Sequence, residues 1–274
     1  MPAINDAKTA LAFSTSWNNL PKGSVYTRAQ FEDWLFPLTE KDFEAKRVLE
    51  LGCGNGSLLV HAAAWNPVYL EGVDLGASVA SARQNMALTM HRNWRVVQDD
   101  LTKYAGDGFD VVYCIGVLHH LKNPQEGFAS VIRNVRPSGS FHCWVYAREG
   151  NGLIMHFVDP LRKIVSRLPW WITKYCVATP LAIPFIVYAK IMHLLKNVTF
   201  MHRLPLFDYC QWIACREFAF FRHVAFDQLV TPQTAYIDKK TVERWLASSP
   251  GIDASSTYVI MRNGNSWKFG GRVK

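Results

Sequence analysis

Val48-Leu49-Glu50-Leu51-Gly52-Cys53-Gly54-Asn55-Gly56 is the stretch that decides how this chain folds. An apolar run carrying one acid, Glu50, stops at three alternating glycines, and a helix-like segment follows. The run reads as a buried parallel strand. Glycine lets the backbone turn sharply and approach a ligand where any Cβ would collide. The dinucleotide fingerprint spaces its glycines G-x-G-x-x-G and seats a pyrophosphate on the helix N-terminus. Here the spacing is G-x-G-x-G. Glu50 beside it would repel a pyrophosphate but suits a cationic amine.

Three more segments follow in order. Gly72-Val73-Asp74 ends a second apolar segment, and an acid there can accept hydrogen bonds from both hydroxyls of a ribose. Val96-Val97-Gln98-Asp99-Asp100-Leu101 reads as a third strand and its loop. Phe109-Asp110-Val111-Val112-Tyr113-Cys114-Ile115 reads as a fourth strand, and Gly116-Val117-Leu118-His119-His120 as the turn beyond it. Together the four segments, within residues 45–147, resemble the class I S-adenosylmethionine (SAM) methyltransferases.

That resemblance implies an α/β fold: a Rossmann-like, seven-stranded methyltransferase sheet with helices on both faces. It implies SAM as cofactor. Glu50, Gly52, Gly54 and Gly56 would form the turn around it, Asp74 would take its ribose, and Asp100, a better match than Asp99, its adenine amino group. Cys53, Leu75, Leu101, Cys114 and Ile115 flank these positions and complete the expected cofactor set, although both cysteines also read as small, packed apolar residues. Gly116 to Leu121 is similar to methyltransferases of the ubiquinone and menaquinone type. The flanks, Phe13–Leu20 with Ser24-Val25-Tyr26, Trp144–Asn151 and Arg262–Trp267, look like a bacterial subgroup of small-molecule enzymes.

The chain has 274 residues, 49% of them hydrophobic, which suffices for a substantial core and excludes global disorder. Its formal charge of +8 suits an acidic partner, but no dense Lys/Arg block appears, so nucleic acid is not favoured. Cysteines 53, 114, 143, 176, 210 and 215 show no paired metal spacing, and no metal is implied. Reduced thiols and the lack of a secretory pattern predict a cytoplasmic protein.

Four regions emerge. Residues 1–44 read as a helical cap rich in aromatics; Phe31, Trp34 and Leu38 recur at helical spacing, and Trp17 and Tyr26 are candidates to wall the site. Residues 45–149 form the SAM-binding core, with a helix starting at Pro124, a turn at Pro137-Ser138-Gly139 and a fifth strand over 141–146. Residues 150–235 read as a helical insertion. Within it, 176–189 carries no charge; fourteen residues are too few to span a bilayer, which takes about 20, and Pro180 and Pro184 are expected to break the helix. Trp170, Trp171, Tyr175 and flanking lysines and arginines leave two compatible readings of 165–198: a lid over a lipophilic substrate, and peripheral contact with the cytoplasmic face of a membrane. Residues 236–274 return to the core through a helix over 237–247 and a strand at 258–261.

Methyl transfer is an in-line displacement with a neutral leaving thioether. It needs alignment and exclusion of water, and only sometimes a base. The fourth strand is not followed by the Asn/Asp-Pro-Pro-aromatic signature of nucleobase amino methyltransferases, and no Pro-Cys nucleophile occurs. Candidate bases and orienting groups are His119, taken from the pair His119-His120 at the rim where α/β ligands bind, and His223, Asp227 and Tyr236 in an aromatic segment. Arg148 is a weaker candidate for an anionic substrate. The expected activity is methylation of oxygen or nitrogen on a small, lipophilic molecule. The alternatives are a non-catalytic binding or assembly protein on a methyltransferase core, and an RNA methyltransferase.

Overall fold

The computed structural model describes residues 4–18 and 26–274, with side chains 7–14 in the first stretch. Three helices, α1 (Ile4–Asn18), α2 (Arg28–Leu35) and α3 (Glu40–Phe43), precede the sheet. Thr27 caps α2, its side chain accepting from the Gln30 amide. Then β1 (Arg47–Leu51), α4 (Ser57–Ala63), β2 (Tyr69–Asp74), α5 (Val79–Ala87), β3 (Trp94–Gln98), β4 (Phe109–Ile115), α6 (Pro124–Asn134) and β5 (Val135–Tyr146) alternate. With β6 (Ile252–Arg262) and β7 (Ser266–Val273) the sheet order is β3-β2-β1-β4-β5-β7-β6, the first five strands parallel and the last two antiparallel to their neighbours. This is the seven-stranded sheet expected.

Alternate residues of each strand point to opposite faces, so the sheet carries two cores. Leu49, Leu51, Val112 and Cys114 pack on the α6 side; Val48, Val111, Tyr113 and Ile115 pack against α2, α4 and α5. Being covered on both faces is why these strands read as unbroken apolar runs.

Two elements differ from expectation. The turn at Pro137-Ser138-Gly139 is a looped-out irregularity inside β5, with Ser138 at φ +63° and the β4–β5 register jumping between Phe109 and Val111. The last strand is the hairpin β6 (Ile252–Arg262) and β7 (Ser266–Val273), turning at Asn263-Gly264, both at positive φ.

Between β5 and the capped helix α11 (Lys239–Ser248) lie α7 (Asp159–Val165), α8 (Thr179–Leu194), α9 (Phe207–Ala214) and α10 (Phe218–Val230). Pro180 and Pro184 do not break the helix. A π-helical stretch, Ile172–Ala178, runs straight into α8, making one rod over Ile172–Leu194, 23 residues, long and apolar enough by length and composition to cross a membrane. Pro180 lies inside this continuous rod, so like Pro184 it leaves a carbonyl of the preceding turn without its N–H partner. Pro184 forfeits one hydrogen bond, but Ala182, Ile186, Ala189 and Met192 bury one stripe of α8 against Cys210, Ile213 and Phe221. That packing holds the rod through the proline.

Candidate active site

The C-terminal ends of β1, β2 and β4 meet in a cavity of about 480 Å³, within the span of small-molecule sites. Gly52, Gly54 and Gly56 all adopt positive φ. A Cβ on Gly52 would stand 2.9 Å from Val117 Cγ1 and nearer still to Cγ2, so the turn tolerates only glycine there. The Gly52 and Cys53 amides donate to the Val73 carbonyl at 2.7 and 3.1 Å, pinning the turn to β2. Asp74 ties it again: Oδ2 accepts from the Gly54 amide at 2.9 Å, Oδ1 from the Gly76 amide at 2.7 Å. The Ser78 side chain adds a third hydrogen bond, and with about four acceptor sites the carboxylate keeps room for a ligand hydroxyl.

Glu50 lines the same cavity at 1% exposure. Tyr113 Oη donates to its Oε2 at 3.0 Å, and no salt bridge reaches it among the described residues. Burial pushes its carboxyl up to about 8 against that hydrogen bond, with the nearby Asp74 adding to the rise. An ammonium group would supply the missing charge, and the amine of SAM is one. Asp100 also faces the cavity, whereas Asp99 does not. Burial alone would raise the Asp100 carboxyl, but hydrogen bonds from the Thr102 hydroxyl and amide, with Lys103 nearby, hold it below the usual range. Leu75, Leu101, Cys53 and Ile115 line the same wall.

Two expected cofactor residues do not reach the cavity. Cys114 points to the α6 core, because it alternates with Tyr113 and Ile115 on β4. Gly56 is the N-cap of α4, where a Cβ would come 3.1 Å from Ala82 Cα; its task is close packing of α4 on α5.

The other half of the cavity is aromatic. Tyr26, Trp34, Trp144 and Tyr146 form a contiguous belt, with ring centroids 4.7 Å apart for Tyr26–Trp34, 5.7 Å for Trp34–Trp144 and 5.3 Å for Trp144–Tyr146. Tyr26 therefore walls the site as anticipated; the Trp17 side chain, with Ser24 and Val25, lies outside the described residues. Trp212 and Phe220 extend the wall, and Arg262 lies over Trp212 at 5.1 Å while its Nε donates to Asp33 at 2.7 Å.

Of the four candidate catalytic residues, Asp227 and Tyr236 line the cavity; His119 and His223 do not. Leu118–His120 is a 3-10 turn, in which neighbours point about 120° apart, so His119 turns inward and His120 takes the wall. Both His119 ring nitrogens lack a hydrogen-bond partner among the described residues, and burial holds the ring neutral. His120 Nδ1 lies 3.0 Å from the Gln233 carbonyl, which can only accept, so Nδ1 carries the proton and Nε2 is left as acceptor. Burial lowers His120 to about 4. His223 stands behind Asp227 with Nε2 at 3.1 Å from Oδ2. Arg148 is exposed and away from the cavity.

A buried network escaped the sequence reading. Arg162, 1% exposed, donates to Asp159 Oδ1 at 2.6 Å, to the Gln228 carbonyl at 2.5 Å and to Gln228 Oε1 at 2.8 Å, with Tyr236 Oη at 3.4 Å. This fixes the Gln228 amide so that Nε2 donates to Tyr146 Oη at 2.6 Å. Tyr146 then keeps its own proton to donate. Its place at the end of β5 was the available signal, since ligands gather at that edge.

A sheet of this order with an acid-flanked glycine turn defines the SAM-dependent methyltransferase fold. A family model described as "Methyltransferase domain" matches residues 25–176, more than half of the sequence, and the chain belongs to that family, which uses SAM as methyl donor. Over 116 residues it is 29% identical to a ubiquinone biosynthesis O-methyltransferase of Klebsiella pneumoniae, covering 41% of this chain and 48% of that one. Over 99 residues it is 29% identical to a tRNA U34 carboxymethyltransferase of Helicobacter pylori, covering 34% and 38%. The chain thus spans about half the length, or less, of these curated relatives. The magnesium protoporphyrin IX methyltransferase of Synechocystis PCC 6803, solved with bound SAM, shares the fold at TM-score 0.54 over 99% of both chains, with 12% identity.

Proposed function

We propose that this protein transfers the methyl group of SAM to an oxygen or nitrogen of a small, lipophilic molecule. One observation carries the reading: the buried Glu50 carboxylate and Asp74 open into the same cavity as the belt of Tyr26, Trp34, Trp144 and Tyr146. The acidic half fits a cationic nucleoside, and the aromatic half fits an apolar acceptor beside it.

SAM supplies a carbon already activated by its sulfonium. The chain's own residues do the rest. Glu50 and Asp74 orient the donor, and the aromatic belt excludes water and holds the acceptor in line. An O–H or N–H acceptor must also shed a proton. Asp227 Oδ and His120 Nε2 are the acceptors on the wall; Tyr146 and Tyr236 are donors that orient the substrate. Burial raises the Tyr236 hydroxyl, which keeps it protonated as a donor.

Titration calorimetry with S-adenosylhomocysteine tests the donor half: no binding defeats the proposal. Incubating cell extract with isotopically labelled donor tests the acceptor half, with label expected in a solvent-extractable small molecule. Label in RNA instead would favour the nucleic-acid reading raised by the +8 charge and the tRNA-modifying relative.

A further inference from the structure

Helix α8 is apolar on both sides. Its buried stripe faces α9 and α10, yet Ile183, Val187, Ile191 and Leu194 form an opposite, exposed stripe, with Leu194 at 81% exposure. A helix at a water-facing surface normally turns a polar side outward. The neighbouring segments behave alike: Phe157, Ile164, Trp171 and Phe200 are each more than half exposed. So many large apolar side chains on one insertion mark a contact surface.

Charge says what covers it. From residue 160 to residue 207 the sequence contains no Asp or Glu. Besides the buried Arg162, paired with Asp159, the same span carries Lys163, Arg167, Lys174, Lys190, Lys196 and Arg203, none of which forms an ion pair among the described residues. A second copy seated here about a two-fold axis would set cations against cations. An anionic lipid surface matches both the apolar stripe and the bases around it. Because Ala182, Ile186, Ala189 and Met192 are locked into the fold, α8 lies along such a surface and does not cross it.

Part of the cavity's lining belongs to this surface. Among the described residues that line it, only Phe157 and Leu181 are exposed, and both belong to the insertion. We propose that the insertion docks the protein on the surface of an anionic bilayer, with the mouth between Phe157 and Leu181 turned to the membrane so that the acceptor passes between lipid and cavity without crossing water. The docking stands on this surface alone; the passage of an acceptor rests on the methyl-transfer reading above.

Flotation of the full chain with vesicles tests it. Phosphatidylglycerol mixed with phosphatidylcholine should carry the protein upward, phosphatidylcholine alone far less, and added salt should release it. Val187→Asp with Ile191→Asp removes two exposed apolar groups that do not line the cavity, and should cut partition about tenfold or more. S-adenosylhomocysteine binding by that double variant, measured by calorimetry, should stay at the wild-type value, which shows that it folds. Flotation by neither vesicle, or flotation that the double variant retains, overturns the proposal. So does a wild-type dimer in solution that the double variant abolishes while vesicles are ignored, since a second copy then covers the face. A protein that floats but binds no S-adenosylhomocysteine keeps the docking and loses the methyl-transfer reading.

Discussion

Gly54 and Asp74 are bonded across the sheet edge: the glycine amide donates to Oδ2 at 2.9 Å, while the other carboxylate oxygen holds Gly76. The acid suited to a ribose therefore also fixes the turn that surrounds the donor. Shape and recognition share one side chain.

Asp74→Ala should cost twice. Two backbone amides lose their acceptor, and ligand hydroxyls lose theirs, so S-adenosylhomocysteine affinity should fall by about 2 kcal/mol or more, roughly thirtyfold. Asp74→Asn keeps one acceptor and should fall between. Calorimetry on both variants, with melting curves, separates loss of ligand contact from loss of the turn.

Glu50 makes donor binding depend on pH. Burial raises its carboxyl to about 8 in the empty site, above the ordinary glutamate value, so it is largely protonated at neutral pH. A cationic amine favours the ionised form, so binding must expel a proton. Affinity should therefore rise with pH from about 6 to 8, by at most about tenfold per unit, and level off above. Calorimetry in buffers of different ionisation enthalpy should count close to one proton released. Glu50→Gln should bind weakly with no proton release, yet fold at least as well at neutral pH, because the cost of holding a buried carboxyl protonated is gone.

Gly52→Ala should destabilise by about 1–3 kcal/mol, since a Cβ meets the Val117 side chain at a positive φ. Adding Val117→Ala clears the space but leaves the backbone strain, so thermal melts should show partial rescue.

Asp227→Asn should leave S-adenosylhomocysteine affinity near wild type while lowering kcat by about 10²–10⁴ if Asp227 takes the acceptor's proton. Tyr236→Phe should act more on KM. With the acceptor found by labelling, steady-state kinetics divide the two roles.

Acid should weaken the fold over a defined window. Burial lowers His120 and His142 to about 4 and His119 further, so each folded value lies below its unfolded one. Between about 6.5 and 4 the unfolded chain binds more protons than the native one, and stability falls as pH falls through that range. The shifts cited would put the loss at about 3 kcal/mol for each of His120 and His142. Melting temperatures across that range check the slope.

The core was readable because β1, β2 and β4 are covered on both sides and so announce themselves as apolar runs ending in acids or glycine. A seventh strand is implied by the fold, but β7 itself is hard to place in the sequence because Gly270 and Gly271 weaken its strand character, although Asn263-Gly264 is a strong hairpin signal. Choosing His119 over His120 required knowing that a 3-10 turn lies there. Arg162 was beyond reach: its partner Gln228 lies 66 residues away, and only folding joins them. Pro180 and Pro184 signal a break because their local cost is legible in the sequence, whereas the packing of Ala182, Ile186, Ala189 and Met192 that outweighs it is not.

β7 lies inside the sheet, bonded to β5 on one edge and β6 on the other. Of the seven strands it is the last translated. Until it inserts, β5 presents a bare edge able to recruit strands from other molecules, and Arg262 has no fixed place beside Trp212. The cavity cannot be finished piecemeal as the chain emerges from the ribosome. Its closure is a late, long-range event, and the β5 edge stays open to other strands until then.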